Sequence, residues 1–240
     1  LLFLLTAIIA AWRIPNIRPL QKSGGHESGF NFTQFKNNLK SIPEMLTMAF
    51  VTFLAIGLIM QLIKLFAMAE FHVTESQYGA LLIIPCLFIG GFSVFLGTLG
   101  DRLGRVKTIR LGIGLCAISL WTLVFIHSEW ALAFGGSIIG IGFVISFPAW
   151  MAHVSETCEP EQRGAVMGAV GTAQGLGAVI GVPVGGVLYE RAHISLPFLH
   201  TDNPSHYVPF IGCALLLIVA WLIATFGIKE HKHGAPKVEG

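Results

Sequence analysis

Gly97-Thr98-Leu99-Gly100-Asp101-Arg102-Leu103-Gly104-Arg105 lies between two apolar stretches, each long enough to cross a bilayer. Two helices joined by so short a link fold back on each other as an antiparallel hairpin. Gly100 and Gly104 permit backbone conformations that other residues resist. Asp101 can accept hydrogen bonds from a helix N-terminus, where the helix dipole favours an anion. Arg102 and Arg105 can pair with carboxylates on neighbouring helix ends.

The rest of the chain has the composition such a hairpin needs. Of its 240 residues, 54% are hydrophobic and 12% charged, with mean hydropathy +0.73. A soluble domain carries roughly twice that charge. The expected fold class is therefore all-α, a polytopic membrane protein whose partner is the lipid bilayer. A helix needs about 20 residues to cross the hydrocarbon core. Six segments qualify, at about 45–68, 78–99, 109–127, 131–153, 164–189 and 207–228. They are too long for barrel strands and do not alternate with period two. Thr74-x-x-Gln77 fits a capping box opening the second of them.

Charge placement orients the spans. The connections 13–44, 97–110, 153–163 and 229–240 hold Arg13, Arg18, Lys22, Lys36, Lys40, Arg102, Arg105, Lys107, Arg110, Arg163, Lys229, Lys232 and Lys237. The connections on the other side, 69–77, 128–130 and 190–206, hold only Arg191. By the positive-inside rule the first set is cytoplasmic, which removes Asn31-Phe32-Thr33 as a glycosylation site. The net charge of +2 gives no reason to expect nucleic acid. Cys86, Cys116, Cys158 and Cys213 form no C-x-x-C pair, so neither a disulfide framework nor a metal site is expected, and no cofactor is called for. The pair His231 and His233 reads as a solvated tail. The apolar run 1–12 reads as the end of a helix whose beginning precedes the chain. The polar segment 13–44 reads as a cytoplasmic linker with a short surface helix over Thr33 to Ile42, and 229–240 as a cytoplasmic tail.

Gly97, Leu99, Asp101, Arg102, Gly104 and Arg105 resemble the G-x-L-x-D-R-x-G-R loop of the major facilitator superfamily. Where that family usually has a further basic residue this chain has Val106, followed by Lys107. Glu156 and Arg163 are similar to the family's E-x6-R element and stand two spans further on, as they do in the family. Gly181-Val182-Pro183-Val184-Gly185-Gly186 resembles the G-P-x-x-G-G element of its antiporters, with Val182 between the first glycine and the proline. Gly168, Gly171 and Gly175 precede it at helical spacing, which suits close helix packing, and Pro183 invites a bend.

The resemblance implies a fold of two six-helix halves; the partial span and basic loop ahead of the first full helix, the lack of an arginine in 131–153 and the short polar tail favour the C-terminal half over the alternative, an N-terminal half, so that 1–12 ends helix 6 and the six spans are helices 7 to 12. It implies a secondary transporter that moves a small-molecule substrate by alternating access, a drug or metabolite exporter coupled to protons, in a bacterial inner membrane. Gly97, Asp101, Arg102, Gly104, Arg105, Glu156 and Arg163 would then form a cytoplasmic gating motif whose other side belongs to the absent N-terminal half. Helices 7, 8, 10 and 11 would line the substrate cavity. The residues nominate Gln61 and Lys64 on the first span, the stripe Phe143, Phe147 and Trp150 on the fourth, and Gln174, the one large polar side chain deep in the fifth. Lys64 also stands close enough to the outer end to snorkel. No Asp or Glu falls inside the six spans, so a proton-carrying carboxylate is expected in the other half. A non-transporting receptor or scaffold with the same fold is the alternative. An enzyme is not expected, because no nucleophile–base pair or metal cluster stands at membrane depth.

Overall fold

The computed structural model describes residues 42–126, 128–158, 162–192 and 204–228, and of residues 94, 97, 100 and 101 only the backbone. The expected helix end at 1–12, most of the linker 13–44 and the tail 229–240 lie outside the described residues. Every described element is helical: α1 (Pro43–Met60), α2 (Leu62–Glu70), α3 (Glu75–Gly97), α4 (Leu99–Leu103), α5 (Arg105–Phe125), α6 (Glu129–Thr157), α7 (Arg163–Arg191), a 3-10 turn (Pro204–Tyr207) and α8 (Val208–Phe226). Six of the helical segments are long and apolar enough to cross a membrane. The all-α, six-span fold class is what the sequence implied.

Local chemistry sets the starts. Pro43 opens α1 where a missing N–H costs nothing, with Glu44 in the first turn. Thr74 caps α3 through a full capping box with Gln77. Ser128 accepts from Trp130 N–H at the start of α6. Pro85, Pro148 and Pro183 sit inside α3, α6 and α7 without ending them. Membrane helices tolerate this because neighbouring groups re-satisfy the freed carbonyls. Pro183 therefore does not end its helix. The first span, expected as one helix over 45–68, is instead two. Gln61 takes φ −89°, ψ −16° between α1 and α2, and its N–H turns to Ile59 O.

The helices pack through small residues, since apolar side chains gain little by leaving lipid for one another. α1 lies against α7. A Cβ on Gly181 would stand 2.5 Å from Leu54 O, and one on Gly57 would stand 2.9 Å from Ala178 O. Gly177 and Gly185 press equally close on Phe50 and Leu58. α5 meets α6 the same way, with a Cβ on Gly142 falling 2.6 Å from Gly112 O. Ser119 Oγ donates across that contact to Gly135 O at 2.7 Å, and Cys116 Sγ to Ile139 O at 3.3 Å. Gly168, Gly171 and Gly175 behave otherwise. A Cβ at each would meet nothing within 4 Å among the described residues. They lie on the face of α7 that turns from α1, so no close-packing partner for them stands among the described residues.

Two apolar cores fill the bundle. One, near the hairpin between α3 and α5, gathers Met48, Ile109, Trp150, Val154, Val166 and Ala224. The other, toward the opposite end, gathers Phe66, Leu120, Leu132, Tyr189, Tyr207 and Phe210. α8 is pinned at the hairpin end by Arg110 of α5. Its Nε donates to Ala224 O at 2.9 Å, and its Nη2 to Thr225 O at 2.9 Å and Ile228 O at 3.1 Å. A guanidinium here satisfies terminal carbonyls and meets the negative end of the helix dipole.

Gly181→Val should separate α1 from α7 and cost about 1–3 kcal/mol, the range for overpacked cores. Thermal unfolding of the purified full-length protein in detergent checks this. An unchanged midpoint would mean that the helices do not touch there.

Candidate functional site

Two sets of residues qualify, one at the hairpin and one in a groove beside it. The hairpin is not an open turn. α4 fills it with a short helix, and the direction change falls on Gly104 at φ 90°, the one glycine among the described residues with positive φ. A side chain is strained there. Gly100 lies within α4 and has no such requirement. Thr108 Oγ1 donates to Gly104 O at 2.8 Å and tightens the entry to α5.

Arg105 opens α5 and reaches Glu156 in the last turn of α6. Nη2 and Oε1 are 2.5 Å apart, with the side chains 30% and 37% exposed. This contact joins two of the three sequence elements that resemble the family motifs, the hairpin loop and the Glu156/Arg163 element. Arg102 and Arg163 are exposed and make no ion pair among the described residues. Arg163 does act on the thiol of Cys158. Burial raises that group from its ordinary value, and the nearby guanidinium offsets part of the rise. The side chain of Asp101 lies outside the described ones.

The groove lies between α1, α6 and α7, in the hairpin half of the bundle. Met48, Thr52 and Phe53 line it from α1, Phe143, Ser146, Phe147 and Trp150 from α6, and Gln174 from α7, over a floor of Ile109 and Ile113. The structure thus brings Phe143, Phe147, Trp150 and Gln174 together. The Phe143 and Phe147 rings stack with centroids 5.1 Å apart at 16°, and Trp150 is buried beneath them at 4% exposure. The polar groups facing the groove are few. Ser146 donates weakly to Phe143 O at 3.4 Å. Thr52 Oγ1 is buried and has no hydrogen-bond partner among the described residues. Threonine in a helix usually returns its proton to the preceding turn, and a buried hydroxyl without a partner costs about 1–3 kcal/mol. Sequence reading passed over Thr52, because a lone threonine in an apolar helix carries no pattern.

Gln61 and Lys64 do not line this groove. Gln61 sits exposed at the break between α1 and α2. Lys64 pairs with Glu75 at the start of α3, Nζ to Oε1 2.6 Å, on an exposed surface. Both stand nearer the end opposite the hairpin. Helix geometry carries residues 61 and 64 about 15 Å along the axis from Thr52.

Fold and site together define a polytopic helical membrane protein with an apolar groove between its spans. Residues 45–240 match the Major Facilitator Superfamily, and the chain belongs to that family. It is similar to the hippocampus abundant transcript 1 protein of Mus musculus, 28% identical over 174 residues, 65% of this chain and 35% of that protein. It is similar to the class B tetracycline resistance protein of Escherichia coli, 28% identical over 183 residues, 75% of this chain and 42% of that protein. The methyl viologen resistance protein SmvA of Salmonella typhimurium is 26% identical over 170 residues, 63% of this chain and 34% of that protein. The chain thus spans 34% to 42% of the length of these curated relatives. It is an integral, multi-pass membrane protein of a transporter family.

The Arg105–Glu156 pair is about one-third exposed, so its coupling is modest. A double-mutant cycle with Arg105→Ala and Glu156→Ala, read by thermal unfolding, should give about 0.5–1 kcal/mol. Additive single mutants would show the pair to be energetically idle.

Proposed function

We propose that the chain is one six-helix half of a secondary transporter that exports small, ring-bearing molecules by alternating access coupled to protons. The observation that carries this reading is the groove: four aromatic rings, no charge, and a buried threonine hydroxyl with no partner among the described residues. Such a lining suits a flat apolar body with a hydrogen-bonding group at its edge. Two relatives are named for resistance to tetracycline and to methyl viologen, which supports the export of small molecules.

The Lys/Arg-rich connections favour a cytoplasmic hairpin end, and on that orientation the groove lies in the half from which an exporter loads. Arg105 and Glu156 hold α5 to α6 as one side of a cytoplasmic latch. Asp101 supplies the contact to a helix start in the partner half, made when the transporter faces outward and broken when it faces inward. The open glycines of α7 at 168, 171 and 175 leave room for a helix of that half to approach closely.

Everted vesicles carrying the full-length protein and an imposed proton gradient test this, with tetracycline and methyl viologen as probes. Energised vesicles should accumulate at least one of them. Asp101→Asn should insert normally yet lower the rate about tenfold or more, the scale of one charge-assisted hydrogen bond. Trp150→Ala should raise the substrate concentration needed for half-maximal rate. No accumulation of either probe, or wild-type rates in Asp101→Asn, overturns the reading.

A further inference from the structure

The groove holds two polar groups that the fold leaves unused. Elsewhere in the described helices, threonine hydroxyls return to the backbone. Thr47, Thr108, Thr157, Thr172 and Thr225 each donate to the carbonyl four residues earlier, at 2.7 to 2.9 Å. Thr52 Oγ1 is buried without such a bond. Gln174 of α7 makes no side-chain hydrogen bond among the described residues either. Both line the same cavity. The register of α1 on α7 brings them there. Gly177 rests on Phe50 and Leu54, which bracket Thr52, and Gln174 stands one turn earlier on α7.

Size decides what can enter. The groove encloses about 40 Å³, whereas an apolar cavity that admits benzene has roughly 150 Å³. The enclosed part therefore takes a substituent, not a ring. The ring has its place beside it, on Phe143, which is 40% exposed, and on Phe147 stacked against it. Charge decides the rest. Among the described residues no charged side chain lines the groove, and a bare charge at this depth is costly. A threonine hydroxyl both donates and accepts, and a carboxamide offers one carbonyl and two N–H groups. Together they match an uncharged edge with a donor next to an acceptor, such as a hydroxyl beside a carbonyl, or a carboxamide.

We propose that Thr52 and Gln174 form a hydrogen-bonding subsite that selects, among ring-bearing molecules, those with an uncharged donor–acceptor edge. The inference rests on the export reading of the groove and narrows it to one of the two probes. Tetracycline carries such edges. Methyl viologen, with two fixed charges and no hydrogen-bonding group, carries none. A site with buried polar groups rejects an analogue that leaves them unpaired far more strongly than it rejects a change in apolar size. The ligand supplies the partner that the fold withholds from Thr52. The hydroxyl then adds nothing to the stability of the empty protein, because valine in its place removes an unsatisfied group rather than a bond.

Equilibrium binding of labelled tetracycline to the purified full-length protein in detergent tests the subsite, with thermal unfolding of the same samples beside it. Tetracycline should bind saturably, and excess methyl viologen should not displace it. Thr52→Val and Gln174→Leu should each raise Kd about tenfold, the ratio for one buried hydrogen bond. Thr52→Ser should keep the wild-type affinity. Thr52→Val should unfold at the wild-type temperature or above it. An unchanged Kd in either Thr52→Val or Gln174→Leu overturns the proposal. Displacement by methyl viologen, a lowered unfolding temperature in Thr52→Val, or the absence of saturable tetracycline binding overturns it equally. Should Gln174→Leu not fold, Thr52→Val decides alone. Binding needs no gradient, so the two readings separate. Binding that depends on Thr52, without flux in energised vesicles, overturns export alone. Flux of methyl viologen without tetracycline binding overturns the subsite alone.

Discussion

The bundle depends on one contact made without side chains. α1 and α7 approach until the carbonyls of Phe50, Leu54 and Leu58 touch the α-carbons of Gly177, Gly181 and Gly185, which a single Cβ on either helix would prevent. In lipid, burial of apolar surface gives little reason for helices to associate, and close van der Waals fit takes its place. The groove follows from this. With α1 drawn onto α7, Thr52 and Phe53 come beside Gln174, and α6 closes the third side with its aromatic stripe.

Polar groups are placed with the same strictness. Arg110 satisfies three carbonyls at the end of α8, Arg105 joins Glu156, and Ser119 bridges α5 and α6. Each pairing removes a group that lipid could not solvate. Among the described residues the buried hydroxyls of Thr52, at the groove, and Tyr189, at the opposite end, depart from that pattern.

Much of the architecture was readable because a bilayer enforces a length. Twenty apolar residues in succession admit few structures, and capping chemistry such as Thr74 with Gln77 marks where a helix starts. Spacing alone misled where a helix has two faces. Gly168, Gly171 and Gly175 repeat as regularly as Gly177, Gly181 and Gly185, but only the second series meets α1, and which face does so is decided by the neighbouring helix. Arg110 counted toward orientation with no sign that it caps α8. Lys64 read equally as pathway or as surface, and its partner Glu75 lies beyond a turn that composition could not position. Glu70 of α2 and His206 of the 3-10 turn, which meet at the end opposite the hairpin, escaped notice because each falls just outside an apolar run. The helices extend past the hydrophobic stretch, and the acid and the imidazole meet only in the folded end. Gln61 breaks the first span with neither proline nor glycine present.

The Arg110 contact also has a history in time. Its furthest acceptor, Ile228 O, lies 118 residues later in the chain. At a synthesis rate of roughly 5–20 residues per second, the guanidinium waits on the order of ten seconds for that carbonyl to exist. Until then α5 carries a charge at its membrane end whose eventual partners have not been made, and interfacial water or lipid phosphate must hold it. The last turn of the last described helix therefore decides when the hairpin end settles, and premature termination just before Ala224 would leave that end unfinished even with every preceding span in place.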